Sequence, residues 1–355
     1  MDIVTHGLAS LAIVRGLFPR RGKLAMASAV LAGTIANLDE LSNYFGPSAF
    51  LRWHGTYTHS ILVAVLVSAG VSMLVAPVQL RSKPVRVAEP EGDATLTSAR
   101  GRGDLAIGLA PVLYVSLCAA LLHIAMDACQ SPGVALFWPF SPKRFAADWL
   151  PGIDPWILTI FLVGIALPEL FHLVSSEIGA KAKKPRGQTG AIISLALVLV
   201  YGGVRATLHA NVIALMQSRT FHGETPRRAS AFPEPLSPLT WHGVVETESA
   251  LNEIDVEIAS ASNFDPDASL RLFKPEPSSA LEAARNTVAA RRFLAAAQIP
   301  KASMEKTEAG YVVVLRDLRY AAAGETQHEI AALIELDLNN KVTSQKLVWG
   351  RDLRH

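Results

Sequence analysis

His123 and Asp127 stand four residues apart near the end of an apolar stretch, in His123-Ile124-Ala125-Met126-Asp127. On a helix that spacing puts an imidazole and a carboxylate on one face, roughly 6 Å apart. The pair suits Zn2+ and other borderline divalent ions. It would also form a plain ring-to-carboxylate hydrogen bond. Further groups of ligand type lie at the ends of other apolar stretches: His6, Asp39 in Asn37-Leu38-Asp39, and both histidines of His54-Gly55-Thr56-Tyr57-Thr58-His59. His6, Asp39, His54, His59, His123 and Asp127 are therefore the candidate metal ligands. Asp39, Asp148 and Asp154 are the candidate acceptors for a proton from metal-activated water. Arg205, four residues before His209, is a candidate phosphate contact, because a guanidinium can hold phosphate bidentately. Structural roles compete. Thr58 suits an N-cap, Asp154-Pro155 a helix start, and Arg205 can snorkel or pair with a carboxylate.

The elements that must position these groups read as membrane helices. Apolar residues make up 50 % of the 355 positions and charged residues 18 %, against roughly 25 % charged in a typical soluble domain. Mean hydropathy is +0.28. This composition excludes a disordered chain, a coiled coil and a disulfide scaffold, and argues against an ordinary soluble enzyme. Net charge is only +2, so no general attraction to nucleic acid is expected. The two cysteines, Cys118 and Cys129, form no CxxC motif.

Strong apolar runs cover residues 60–80, 105–127, 156–175 and 190–216, each near the ~20 residues that cross a hydrocarbon core. Weaker runs at 5–18 and 24–38 suit short helices or a re-entrant hairpin. The start of the chain, with Asp2 and His6 and no basic region, is not a secretory signal. Thirteen Lys and Arg fall in three connections: Arg15 to Lys23, Arg81 to Arg102 and Lys181 to Arg186. The opposite connections hold three, Arg52, Lys143 and Arg144. The positive-inside rule puts the first set in the cytoplasm. Every candidate ligand then lies at the outer end of its segment, although none of them entered that inference.

Residues 217–355 contain no spanning run. LTWHGVVE, GYVVVLRDLRY, EIAALIELDL and KVTSQKLVW read as strands, and Asn339-Asn340 as a turn. FPEPLSPLTW reads as a Pro-rich link, and residues 278–297 as one Ala-rich helix. The expected architecture is an all-α polytopic membrane bundle of about six segments over 1–216, with a small α+β domain over 217–355 on the outer side.

The motifs together resemble the YdjM-type family of inner-membrane metal-dependent hydrolases. Met1-Asp2-x-x-Thr5-His6, Asn37-Leu38-Asp39, His54-x4-His59-Ser60, His123-x3-Asp127, Phe137-Trp138-Pro139-Phe140-Ser141 and Asp154-Pro155-Trp156 carry the resemblance. That family is considered similar to the zinc-dependent phospholipase C and P1 nuclease group. The resemblance implies His6, Asp39, His59, His123 and Asp127 as ligands, with Asp127 a candidate bridge. Two departures stand out. Asn37 replaces a family carboxylate, and Gly55 replaces a family arginine. No second HxxxD/E or HxxxH pair of the kind that completes a three-zinc cluster stands at an apolar run, since His242-x3-Glu246 lies in a stretch read as a strand; one or two ions are expected, zinc foremost.

The expected function is hydrolysis of a phosphoester by metal-activated water at the outer face of a bacterial inner membrane. Membrane lipid is the expected partner, and a phospholipid one possible substrate. Two other readings use the same residues. A metal permease would carry polar groups through the full membrane depth. A non-catalytic scaffold would depend on its outer domain and not on the His/Asp cluster.

Overall fold

The structure is a computed structural model describing residues 1–19, 23–81, 102–177, 187–320 and 329–353. Many basic residues counted above, among them Arg20, Arg21, Lys83 and Lys181 to Arg186, lie outside the described residues. The chain forms two compact units. The first comprises Met1–Leu38, Gly55–Ala146 and Ile153–Tyr201, and the second Asp39–His54, Ala147–Gly152 and Gly202–His355.

The first unit is helical. Its elements are α1 (Ile3–Leu17), α2 (Lys23–Thr34), α4 (Ile61–Arg81), α5 (Arg102–Ala128), α6 (Pro155–Glu177) and the first part of α7 (Gln188–Gln217); α3 (Pro47–Trp53) belongs to the second unit. Start signals are local. Asp2 caps α1 by accepting from Val4 and Thr5 N–H, at 3.0 and 2.9 Å. Asp154 caps α6 by accepting from Trp156 and Ile157 N–H, at 2.9 and 3.1 Å, with Pro155 in the first turn. Small residues let the helices approach: Val14, Ala29, Val115 and Ala119 join α1, α2 and α5, while Ala64, Ala120 and Ile124 join α4 and α5.

The outward faces are apolar. Leu66, Leu74, Leu113, Leu162, Leu197 and Leu199 are exposed while Ser68, Ser72, Ser116 and Ser194 are buried. That pattern inverts the soluble one and suits hydrocarbon as solvent. Among the described residues, three helical stretches are long and apolar enough to cross a membrane: Lys23–Phe45, which continues α2 through a 3-10 segment, Leu109–Ala128 and Gln188–Gln217. Ile3–Leu17, Ile61–Val75 and Pro155–Pro168 are shorter apolar helices.

The second unit contains two four-stranded antiparallel sheets, each a simple meander. The first is β1 (Arg228–Pro233), β2 (Thr240–Glu246), β3 (Ala250–Glu257) and β4 (Leu270–Phe273). The second is β5 (Pro300–Thr307), β6 (Gly310–Asp317), β7 (Ile330–Asp337) and β8 (Val342–Trp349). The end of α7 packs Val212 and Met216 onto Trp241, Val245 and Val256 of the first sheet. Two short helices, α8 (Ser279–Arg285) and α9 (Val288–Leu294), cover the second sheet through Leu281, Ala284, Ala290 and Phe293. The sequence suggests one helix there. The chain breaks at Asn286-Thr287, because Thr287 caps a new helix by accepting from Ala290 N–H at 3.2 Å. Likewise Phe232 and Pro233 are not link but the end of β1, an edge strand that tolerates proline.

Glu224 ties the start of this unit together. Its carboxylate accepts from Ser249 Oγ at 2.6 Å and Ser249 N–H at 3.0 Å, and pairs with Arg271. The Ser249 bonds, with Arg271 adding, hold its pKa down to about 2. A depressed carboxylate pKa contributes stability that is complete above the unfolded value and fades as pH falls towards about 2. Glu224→Gln should therefore melt lower than wild type at neutral pH. The gap should close on acidification from near 4.5 to about 2, read by thermal melts across that range.

Candidate metal centre

Three local features aim ring nitrogens at one carboxylate. The Asp2 cap starts α1 so that His6 lies on its buried face. Ser60 Oγ accepts from Val63 N–H at 3.2 Å at the start of α4, leaving His59 just before that helix. His123 and Asp127 occupy the last turns of α5, on one face as their spacing requires. All four side chains are buried.

Asp127 is the hub. Its Oδ1 lies 3.1 Å from His6 Nε2, and its Oδ2 3.0 Å from His59 Nε2 and 3.1 Å from His123 Nε2. His59 Nε2 and His123 Nε2 are themselves 3.1 Å apart. The His6 and His123 rings stack at 3.7 Å. Donor atoms of His6, His123 and Asp127 all lie within 4.8 Å of one another. The Met1 ammonium and Gln130 Nε2 also donate to Asp127 Oδ1, at 2.6 and 2.7 Å.

The hydrogen bonds dictate a tautomer. His123 Nδ1 is 2.8 Å from the Gly33 carbonyl, which can only accept. That nitrogen carries the proton, so Nε2 of the neutral ring is a bare lone pair facing the Asp127 carboxylate. Two acceptors at 3.1 Å repel unless a proton or a metal ion lies between them. His59 Nδ1 is 2.9 Å from Thr58 Oγ1, which can accept its proton and leave Nε2 bare as well. Outer hydrogen bonds of this type orient ligating histidines. Among the described residues, none pairs with the buried His6 Nδ1. Imidazoles and a carboxylate are the ligand types zinc takes; His6, His123 and Asp127 form the mutually close donor set, and His59 joins it through Asp127 and His123 at 3.0 and 3.1 Å.

The other candidates stand elsewhere. Asp39 and His54 belong to the second unit, where Asp39 Oδ1 and His54 Nδ1 are 3.3 Å apart and His54 stacks on Phe50. Asp154 caps α6 and accepts from the Tyr201 hydroxyl at 3.0 Å. Asp148, at positive φ, lies 3.5 Å from Gln298 Nε2 in the second unit. Arg205, also of that unit, donates to the Trp149 and Pro238 carbonyls and stacks on Trp241 at 4.2 Å. These contacts clamp the start of the second unit to α7. His209, one turn on, sits 3.1 Å from the Ala231 carbonyl.

Gln130 and the Gly33 carbonyl were not legible beforehand. Gln130 lies one turn past Asp127, a position to inspect after any such pair; a backbone acceptor carries no side-chain signal. Gly55 has a steric reason. Its φ is +67°, and a Cβ there would meet the Gly133 carbonyl at 2.8 Å. The Arg144 guanidinium occupies the space beside it and donates to Thr56 Oγ1 at 2.9 Å.

A family model described as YdjM inner membrane protein matches residues 1–212, and one described as the YfhP C-terminal alpha/beta plait domain matches residues 279–354. No curated protein and no solved structure matches the chain.

Proposed function

The chain belongs to the YdjM inner membrane protein family, and from that premise we propose that it is a multi-pass hydrolase cleaving a phosphoester with one or two divalent ions, zinc foremost. The observation that carries this reading is the convergence of three Nε2 atoms on Asp127, with the His123 lone pair set by Gly33. A bound ion would supply a water of pKa near ~7 and polarise the phosphoryl oxygen. The chain's own groups orient that chemistry. Gly33 and Thr58 fix the ring edges of His123 and His59, and Gln130 holds one Asp127 oxygen. Arg144, bonded to Thr56 three residues before His59, is a further cation suited to a phosphate.

In this reading the three long apolar helices cross the membrane and the three shorter ones insert beside them as further segments of one bundle. Lys and Arg bias favours an outer position for the ends that bear the centre, and for the second unit. A permease would need charged or His side chains along its helices, yet α5 carries no Asp, Glu, Lys, Arg or His between Leu105 and Leu122.

The test uses full-length protein in detergent with a chromogenic phosphodiester, a phosphomonoester and a phospholipid. Hydrolysis should be lost on chelation, restored by Zn2+, and absent from His59→Gln. Turnover that survives chelation, or none with the metal loaded, would overturn the proposal.

A further inference from the structure

A second candidate site lies wholly within the second unit, where β1–β4 meets α8 and the start of β5. It is a cleft of about 330 Å3 whose lining includes Arg228, Lys274, Arg285 and Lys301. Glu246 is the lining carboxylate, and it is committed to Lys274 at 2.7 Å. Lys301 feels Glu253, a neighbour outside the lining. The guanidiniums of Arg228 and Arg285 are exposed, and neither has a carboxylate within ion-pair distance among the described residues.

The floor has opposite character. Val244, Leu251 and Ile299 are buried, and Phe273 stands exposed at the edge. A small hydrated anion gains nothing from such a floor. An uncharged apolar ligand gains nothing from two unpaired guanidiniums. We propose that this cleft binds an amphiphilic anion, a phosphate-type or carboxylate headgroup on an apolar tail, with Arg228 and Arg285 holding the headgroup and the exposed Phe273 and Pro300, above the buried Val244, Leu251 and Ile299, taking the tail. Arginine's planar fork suits the headgroup, and the volume lies at the small end of ligand pockets. The site is separate in residues from the metal centre and does not depend on hydrolysis.

Titration calorimetry on the full chain in detergent, with EDTA present, tests it. Hexylphosphonate is the amphiphilic probe, methylphosphonate the headgroup alone, and hexanol the tail alone. Hexylphosphonate should bind saturably, at least tenfold tighter than methylphosphonate, and hexanol should not saturate. Arg228→Gln with Arg285→Gln should weaken hexylphosphonate at least tenfold, and Arg→Lys at both should fall between. Both arginines are exposed, so the variants should melt like wild type. Equal affinity for the two phosphonates would mean a free-phosphate site and overturn the amphiphile. No saturation, or affinity unchanged in the glutamine variant, would overturn the site.

Discussion

Asp127→Asn is expected to weaken Zn2+ binding by more than a hundredfold and to remove phosphoester hydrolysis. The asparagine keeps the size of the side chain but neither its charge nor its second acceptor. It would face three buried imidazoles with one carbonyl oxygen and two N–H donors. Loss of a residue that only supports a ligand costs ~10–100-fold in affinity, and Asp127 touches every histidine of the centre. It also offsets the Met1 ammonium, and unpairing a buried charge costs roughly 3–5 kcal/mol. Asp127→Asn should therefore melt lower as well. His59→Gln separates the two effects, since it leaves the Met1–Asp127 pair in place. That variant should lose zinc while melting close to the metal-free wild type. Competition with a chromophoric chelator, alongside melts, measures both. Zinc affinity in Asp127→Asn within threefold of wild type would contradict the assignment.

The second large effect is expected far from the centre, at Gly190. Gly190 and Ser194 on α7 face Gly164 and Pro168 on α6, small residues at the spacing that lets membrane helices touch. Ser194 Oγ is positioned to donate to the Ile160 carbonyl at 3.1 Å, across the interface. A Cβ at Gly190 would fall 2.6 Å from Pro168 Cγ and closer still to the Gly164 carbonyl. Backbone cannot move aside as a side chain can. Overpacking of this kind costs about 1–3 kcal/mol for added methylenes, so Gly190→Ala should lower the melting temperature in detergent by several degrees. Gly190→Leu should prevent α6 and α7 from packing at all. An unchanged melt for Gly190→Leu would show that these helices do not meet there.

The strands read most plainly from sequence are those with long apolar runs, while the edge strand β8 is readable from its closing Leu347-Val348-Trp349. β6 and β7 are central in their sheet, and their Val, Leu and Ile residues form its core. β5 was illegible because it is an edge strand whose Lys301, Ser303, Glu305 and Lys306 leave little apolar signal. The Asn339-Asn340 turn was readable because asparagine tolerates the left-handed φ of +63° found at Asn340. Of the centre, the His123/Asp127 pair was legible because both groups share one helix. His6 and His59 are contributed by separate stretches, and only their common position at ends of apolar runs linked them to it. The Asp39–His54 contact joins a 3-10 segment to the residue just after the separate helix α3, and no single helical spacing points one side chain at the other.

His6, His59, His123 and Asp127 are proposed to hold a divalent ion. The most direct test is the metal content of detergent-purified protein by inductively coupled plasma mass spectrometry, wild type beside Asp127→Ala. One or two zinc ions per wild-type chain, missing from the variant, is the predicted result. No bound metal in wild type, even after incubation with Zn2+ and removal of the excess, would contradict it.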